Sequence, residues 1–272
     1  MSYRSKVVLV MSLIISGIGC QGNDPVPPRA AVRPHELTAH GQTRQDDYYW
    51  LNQREDPEVL AYLTAENSYL EQVLGHTRSL QDELFEEMKG RIKKDEATAP
   101  FELRGYWYYR RFVPDGEYAL HCRRLGDMDG PEEILLDGNE LGRGHDYFSL
   151  RGVTVSPDNR LAAFAIDTAG RRLYTLQFKD LVTGQVFPDV ITDVTGNTAW
   201  ALDNRTVFYS RQDPETLRSY QIWRHVLGTD TATDVLVFEE KDDTFSCYVG
   251  STKSDRFLII NSRQTLSSEA RI

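Results

Sequence analysis

The chain has 272 residues, of which 40% are hydrophobic, 26% charged and 11% aromatic, and its formal net charge is −10. This composition supplies a sizeable core, in one large domain or two small ones, and excludes an intrinsically disordered chain. The acidic balance argues against a nucleic acid partner, because phosphate contacts need clustered Lys and Arg. It suits a cationic ligand, although an acidic surface that serves only solubility is the simpler interpretation.

Residues 1–20 have the pattern of a secretory signal peptide. Two basic residues precede a run at 7–15 that is apolar except for Ser12, and small residues then lead to Cys20. The run is too short for a membrane span, which needs about 20 apolar residues. Cys20 resembles the lipid-attachment cysteine of a bacterial lipobox, although Gly17 stands where that pattern prefers Leu.

These features predict export to the bacterial periplasm or cell envelope, with membrane anchoring through a lipid on Cys20. An ordinary signal peptide and a misassigned start codon are the alternatives. Residues 21–34 contain four prolines, which is typical of an extended tether.

Residues 35–98 are predicted to form a helical N-terminal extension. Asp56 and Pro57 are a good N-cap and first helical residue, and Gly75 is a plausible end for this helix. A second helix is expected over Leu80–Ile92, capped by Ser79. Apolar residues at helical spacing predict a stripe on each helix that packs in a core; these are Val59, Leu60, Leu63, Leu70, Val73 and Leu74, then Leu80, Leu84, Met88 and Ile92.

Residues 99–272 consist of short predicted strands separated by turn residues. The expected strands include YWYYRRFV, YALHCRR, EEILLD, LAAFAID, RLYTLQFKDL, QVFPDVI, YQIWRHVLG, DVLVFEE and SEARI. Aligning the turn residues Asp158, Asp203 and Asp255 gives spacings of 45 (203 − 158) and 52 (255 − 203). Multi-stranded repeats of this length predict a β-propeller, here an incomplete one, in which each sheet needs a neighbour on both faces.

The remaining cysteines, Cys122 and Cys247, lie far apart in predicted strands without metal-ligand spacing. Buried thiols are the first interpretation, and a disulfide in an exported protein is the alternative. No cofactor or metal site is predicted.

Several motifs resemble, in the same order, the N-terminal part of the oligopeptidase B group in the prolyl oligopeptidase family of serine peptidases. The resemblance extends from about residue 33 to Ile272, and its motifs are DDYYWLNQREDPEVLAYLTAEN, LQDELFEEMKGRIKKDE, GYWYYRRF, GHDYFSLRGVTVSPD and YQIWRHVLGTD. It implies a helical extension and a seven-bladed propeller that restrict access to an α/β-hydrolase domain. It also implies a Ser-Asp-His triad in that domain, with acidic pockets for Lys or Arg and short peptides as substrates.

No Gly-x-Ser-x-Gly nucleophile motif occurs in the 272 residues. The similar stretch GSTKS, from Gly250, lacks the second Gly and falls in a predicted turn. The α/β-hydrolase domain is therefore expected to be absent from this chain, and no catalytic residue of the family is assigned to it.

Other candidate residues have simpler interpretations. His145 and Asp146 are adjacent, which does not suit a catalytic pair, and His76, His121 and His225 lack ligand spacing. The carboxylate pairs are expected to be solvated, although they could steer cationic peptides; they are Glu86/Glu87, Glu239/Glu240 and Asp242/Asp243. The tryptophans Trp50, Trp107, Trp200 and Trp223 are expected in packing between sheets or domains.

The first hypothesis is therefore the gating portion of a serine oligopeptidase that cleaves short peptides after Lys or Arg, with this chain alone inactive. The alternative is an exported, stand-alone propeller-like binding protein. A reading frame that continues beyond codon 272 to a Gly-x-Ser-x-Gly motif would favour the first.

Overall fold

The computed structural model describes residues 25–272, which divide at residue 92 into two compact units. The first unit contains a hairpin of β1 (His35–Ala39) and β2 (Gln42–Asp46), followed by α1 (Pro57–Leu74) and α2 (Arg78–Gly90). The hairpin was not predicted, because its polar and largely exposed strands lack the alternating apolar pattern on which strand prediction depends.

The start of α1 is as predicted, since the Asp56 carboxylate accepts a hydrogen bond of 2.7 Å from the Glu58 backbone N–H. The start of α2 was predicted two residues late. A short 3₁₀ turn continues from Gly75, whose φ of −55° is right-handed, directly into α2. The chain therefore never leaves a helical conformation long enough for Ser79 to act as a cap, and that residue lies inside α2.

The apolar stripes of these helices are mostly exposed in the part of the chain that the structure describes. Val59 is 2% exposed, whereas Leu60 is 50%, Leu80 is 55% and Met88 is 61% exposed. The prediction that the stripes form a core is thus met only at Val59, and the stripes form an apolar surface.

The second unit, residues 93–272, is built of antiparallel strands with a short helix, α3 (Gly138–Leu141), after the fourth of them. Its strands are β3 (Phe101–Leu103), β4 (Tyr106–Arg111), β5 (Leu120–Leu125), β6 (Glu132–Asp137), β7 (Ser149–Val155), β8 (Leu161–Asp167), β9 (Tyr174–Asp180), β10 (Ile191–Trp200), β11 (Thr206–Gln212), β12 (Ser219–Val226), β13 (Val235–Glu239), β14 (Ser246–Ser251), β15 (Leu258–Arg263) and β16 (Ser268–Arg271).

These strands follow one another in simple meanders. Strands β3–β6 form a first sheet, β7–β13 a continuous seven-stranded sheet, and β14–β16 a further sheet. In β10, Ile191 pairs with β9, Thr198 and Trp200 pair with β11, and Val194 pairs with both strands; a bulge separates Val194 from Thr198. We therefore call β7 to the first part of β10 the second sheet, the remainder of β10 to β13 the third sheet, and β14–β16 the fourth sheet.

One predicted strand is wrong. The segment QVFPDVI makes only an isolated bridge at Val186, and the strand starts at Ile191, the last residue of the predicted segment. Pro188 lies in the middle of the segment and has no N–H to donate to a ladder. The segment is instead a connection that carries Asp189 into the interior.

The repeat spacing also needs a correction of one residue. The turns after β7, β10 and β14 match by their hydrogen bonds, in which Ser156, Ala201 and Thr252 each donate to the carbonyl five residues further on. The equivalent residues with positive φ are then Asn159, Asn204 and Asp255. The spacings are 45 (204 − 159) and 51 (255 − 204), so Asp255 corresponds to Asn204 rather than to Asp203.

The core of the second unit lies between successive sheets. Phe164 and Leu135 pack between the first and second sheets, Phe178 and Tyr209 between the second and third, and the fourth contributes Cys247. The second and third sheets thus pack on a neighbour at both faces, which is the arrangement that the repeats predicted. The mainly β propeller architecture, preceded by helices, is confirmed.

Candidate functional site

A histidine held between two aspartates lies at the junction of the second and third sheets. His225, on β12, is completely buried. Its Nε2 is 2.9 Å from Oδ1 of Asp189, and its Nδ1 is 2.7 Å from Oδ1 of Asp234. Asp189 comes from the connection before β10 and Asp234 lies immediately before β13, so the ring joins β12 to both of these connections.

Further groups complete this cluster. The Tyr209 hydroxyl donates to Asp234 Oδ2 at 2.9 Å, and the Gly228 N–H donates to Asp189 Oδ1 at 2.7 Å. Burial, and then the hydrogen bond to Asp234, raises the pKa of Tyr209 above its usual value. Phe178 stacks on the imidazole with ring centroids 5.7 Å apart. The cluster is therefore well ordered and enclosed.

The geometry of His225 shows what the cluster can do chemically. Each ring nitrogen of His225 lies within hydrogen-bond distance of a carboxylate oxygen, so neither nitrogen is free. A general base needs a free nitrogen within reach of the proton that it removes. The His225 cluster is therefore a structural connection between two sheets. Sequence reasoning missed it because the three residues have no motif spacing.

The other histidines that the sequence analysis considered lie in different elements of the structure. His145 and Asp146 lie in the exposed loop between α3 and β7. His76 caps the end of α1, where its Nδ1 is 3.0 Å from the Val73 carbonyl oxygen. His121 lies on β5, in the first sheet. None of these positions brings His145 and Asp146 together with a nucleophile, which agrees with their structural interpretation.

His121 lines a cavity of about 470 Å³ beside the first and second sheets, together with Phe101, Tyr108, Cys122 and Val153. Burial, and then the charge of Arg110, lowers the pKa of His121 to about 4. The imidazole is therefore neutral near pH 7.

Both cysteines of the second unit are buried and free, as predicted. Burial raises the pKa of Cys122 to about 11 and that of Cys247 to about 11. Because the thiolate is the reactive form, neither thiol is an activated nucleophile at neutral pH.

The carboxylate pairs make local contacts. Glu86 and Glu87 form ion pairs with Lys89 and Arg91 one turn further along α2. In the second unit Glu240 accepts a hydrogen bond from the Ser262 hydroxyl, and this bond lowers the pKa of Glu240. The remaining members are Glu239, which accepts from Gln221, and the exposed Asp242 and Asp243.

The tryptophans take part in packing or donate hydrogen bonds in both units. Trp200 meets Phe178 edge-on between sheets, and Trp223 packs against the same core cluster. Trp107 donates to the Gly126 carbonyl, and Trp50, in the first unit, donates to the Ala31 carbonyl.

The predicted signal peptide and Cys20 lie outside the described residues. Between residues 25 and 272, no helix has the length and apolar character needed to cross a bilayer. The same residues contain no group of three or more His, Cys, Asp or Glu side chains placed to hold a metal ion.

Comparison with known proteins places these features in a family. The model of the prolyl oligopeptidase N-terminal β-propeller domain matches residues 27–272. Dipeptidyl aminopeptidase BI of Pseudoxanthomonas mexicana is 44% identical over 98% of this chain, and protease 2 of Moraxella lacunata is 34% identical over 87%. The matched parts make up 39% and 35% of those two relatives.

Solved structures agree with this assignment. Oligopeptidase B from Leishmania major superposes on 90% of this chain with a TM-score of 0.83 and 29% identity, over 37% of its own length. Oligopeptidase B from Trypanosoma brucei, in a closed form with covalently bound antipain, gives a TM-score of 0.80 and 29% identity over the same share of both chains. The chain belongs to the prolyl oligopeptidase family of serine peptidases, and residues 27–272 match the N-terminal β-propeller domain of that family.

Proposed function

We propose that this chain is the substrate-gating portion of a serine peptidase that cleaves short peptides after Lys or Arg. The observation that carries the proposal is the fit to oligopeptidase B along 90% of the chain. In this proposal the sheets stand at the entrance to a hydrolase domain and exclude folded proteins. Acyl transfer then follows in that domain through a Ser nucleophile and a His base.

Two features of the described residues support the proposal that this chain gates substrate access while the hydrolase domain carries out acyl transfer. The one fully buried histidine among them, His225, has both ring nitrogens occupied by carboxylates. The two buried cysteines are held as thiols. The net charge of −10 also favours cationic peptides as substrates.

The test uses the whole peptidase and a matched set of reporter peptides. Peptides with Arg or Lys before the reporter group should be hydrolysed, and the same peptides with Gln or Leu at that position should not. Equal turnover of the Gln peptide would refute the preference for basic residues. Loss of turnover with a serine-directed inhibitor would identify the nucleophile.

A second candidate activity is the release of dipeptides from a free amino terminus. The relative with 44% identity is named a dipeptidyl aminopeptidase. Acetylated and free Ala-Arg reporter peptides separate the two activities. An endopeptidase cleaves both, whereas a dipeptidyl aminopeptidase requires the free ammonium group and leaves the acetylated peptide intact.

We also propose that the protein acts in the cell envelope, held to the membrane by a lipid on Cys20. The support is the sequence of residues 1–20. Cys20→Ala should release the protein from the membrane fraction and remove the mass of the lipid from its N-terminal peptide. Wild-type protein that is soluble and cleaved near Cys20 would leave an ordinary signal peptide instead.

A further inference from the structure

The turns at one end of the four sheets share an unusual backbone conformation. Each sheet joins its first strand to its second through a turn with one non-glycine residue of positive φ. These residues are Arg104 (51°), Asn159 (62°), Asn204 (59°) and Asp255 (55°). We call them the four inner-turn residues, because the first strands of the second, third and fourth sheets lie beside one another around a common axis.

Two contacts show that the first strands converge. Thr154 and Thr198 hydroxyls are 2.8 Å apart, which joins the second and third sheets. Asn197 donates to the Val249 carbonyl at 2.9 Å and accepts from the Val249 N–H at 2.8 Å, which joins the third and fourth sheets.

The two asparagines among the inner-turn residues contact the turn of the preceding sheet through their amide side chains. Asn159 Nδ2 donates to the Arg104 carbonyl oxygen at 3.2 Å, which links the second sheet to the first. Asn204 Oδ1 accepts from the Asp158 N–H at 2.9 Å, which links the third sheet to the second. In both cases the side chain reaches back to the preceding turn.

Asp255 departs from this pattern, because its carboxylate binds a residue of the first sheet. Arg104 donates from Nε to Asp255 Oδ2 at 2.9 Å and from Nη2 to Oδ1 at 2.8 Å. The third guanidinium nitrogen, Nη1, donates to the Val155 carbonyl oxygen at 3.2 Å. The side chains of Arg104 and Asp255 are only 20% and 26% exposed.

This ion pair has features that distinguish it from an ordinary surface pair. It is bidentate, so it fixes orientation as well as distance. It joins residues 151 positions apart, in sheets that are not consecutive. A bond between the inner turns of the first and fourth sheets crosses the end of the axis that the first strands surround.

We propose that Arg104 and Asp255 form a strap across one end of the propeller channel, and that this strap restricts the bulk of the peptides that enter there. The proposal rests on the proposed function, whose gating step it assigns to two residues. When the pair is broken, the first and fourth sheets separate at this end and bulkier peptides pass.

The first test measures the distance between the two sheets and does not depend on activity. Spin labels are placed at the exposed positions Glu102→Cys and Lys253→Cys, in a Cys20→Ala background. The parent should give one narrow distance distribution, and Arg104→Gln should give a broader and longer one. Arg111→Gln is the matched control, because Arg111 forms a comparable bidentate pair with Glu132 inside the first sheet. The same distribution in Arg104→Gln and in the parent would overturn the strap.

The second test measures peptide entry in the whole peptidase. One Arg-containing peptide is compared as a linear chain and as a disulfide-closed hairpin. For Arg104→Gln, kcat/KM for the hairpin relative to the linear peptide should rise about fivefold, which corresponds to about 1 kcal/mol. The exchange Arg104→Asp with Asp255→Arg should restore the parental ratio. An unchanged ratio in Arg104→Gln would refute the role in entry.

The two tests separate failure of the strap from failure of the proposed function. A protein that hydrolyses neither peptide contradicts the proposed function, and the label distances then decide the strap by themselves. Normal hydrolysis of both peptides with unchanged distances contradicts the strap alone.

Discussion

A methyl group placed on Gly152 would lie 1.7 Å from the carbonyl oxygen of Gly196. Both glycines have a positive φ, +61° and +81°, and both lie in the first strand of a sheet, at a bulge in its pairing. The second and third sheets therefore approach each other here backbone to backbone, which only glycine permits.

Gly152→Ala should therefore destabilise the protein through this contact. We expect a loss of about 3 kcal/mol or more in the free energy of unfolding, because overpacking and backbone strain add. Gly184→Ala is the control, since Gly184 also has a positive φ, of +76°, but has open space around it. Thermal unfolding followed by circular dichroism compares the two; equal melting temperatures would contradict the close contact.

His225→Gln should also lower stability, because it leaves two buried carboxyl groups without the hydrogen-bond partner that they share. Leaving a buried polar group without its partner costs about 1–3 kcal/mol, and more for a charged group. His76→Gln, at an exposed position, should have little effect. Urea unfolding would measure both changes, and a His225→Gln protein as stable as the His76→Gln protein would show that the cluster does not join the sheets.

Acid should weaken the first sheet through Glu132. The hydrogen bond from Arg111 lowers the pKa of Glu132 to about 2, against an ordinary value of 4.5. Since the folded-state pKa is the lower one, the ion pair stabilises the protein fully above about pH 4.5 and progressively less as the pH falls towards 2.

The check compares the melting temperatures of the parent and Glu132→Gln at pH 6 and pH 3. The gap between them should be smaller at pH 3, because the glutamine cannot titrate. Glu102→Gln, at an exposed position of the same sheet, should show little gap at either pH. A gap for Glu132→Gln that does not change with pH would argue against the ion pair.

Cys122 and Cys247 should resist alkylation in the folded protein at pH 8, because burial raises both pKa values to about 11. Iodoacetamide in denaturant, without reductant, should label both. Peptide mass spectrometry reads each site separately. Labelling that requires prior reduction would show a disulfide, which was the alternative left open by the sequence.

The 272-residue chain on its own should not hydrolyse Arg or Lys reporter peptides. Among the described residues, His225 has no free nitrogen to activate a hydroxyl group, and the two buried cysteines are thiols. A fluorescence assay over long incubation measures this. Turnover that a serine-directed inhibitor abolishes would show the expectation to be wrong.

The sequence predicted the parts of this fold that depend on local patterns. LAAFAID became β8 with the predicted bounds, and Asp56 caps α1, because apolar periodicity and capping chemistry act over a few residues. The segment around Pro188 was wrongly predicted as a strand, since its apolar residues suggested one.

Long-range polar contacts could not be predicted in the same way. Asp189 and Asp234 meet His225 only after three segments of two sheets pack together. Arg104 and Asp255 are 151 residues apart, and each alone is an ordinary turn residue. Their pairing depends on the curvature of the whole array of sheets, which has no counterpart in local spacing.

The sharing of β10 between two sheets also determines where this domain can flex. Because β10 pairs with both β9 and β11, we expect the second and third sheets to move together. The first and fourth sheets share no strand with this pair of sheets; the segments before β7 and β14 and the contacts between neighbouring sheets join them to it. We therefore expect an outer sheet to bend at one of these segments, and the Arg104–Asp255 pair is one of the contacts that oppose such bending.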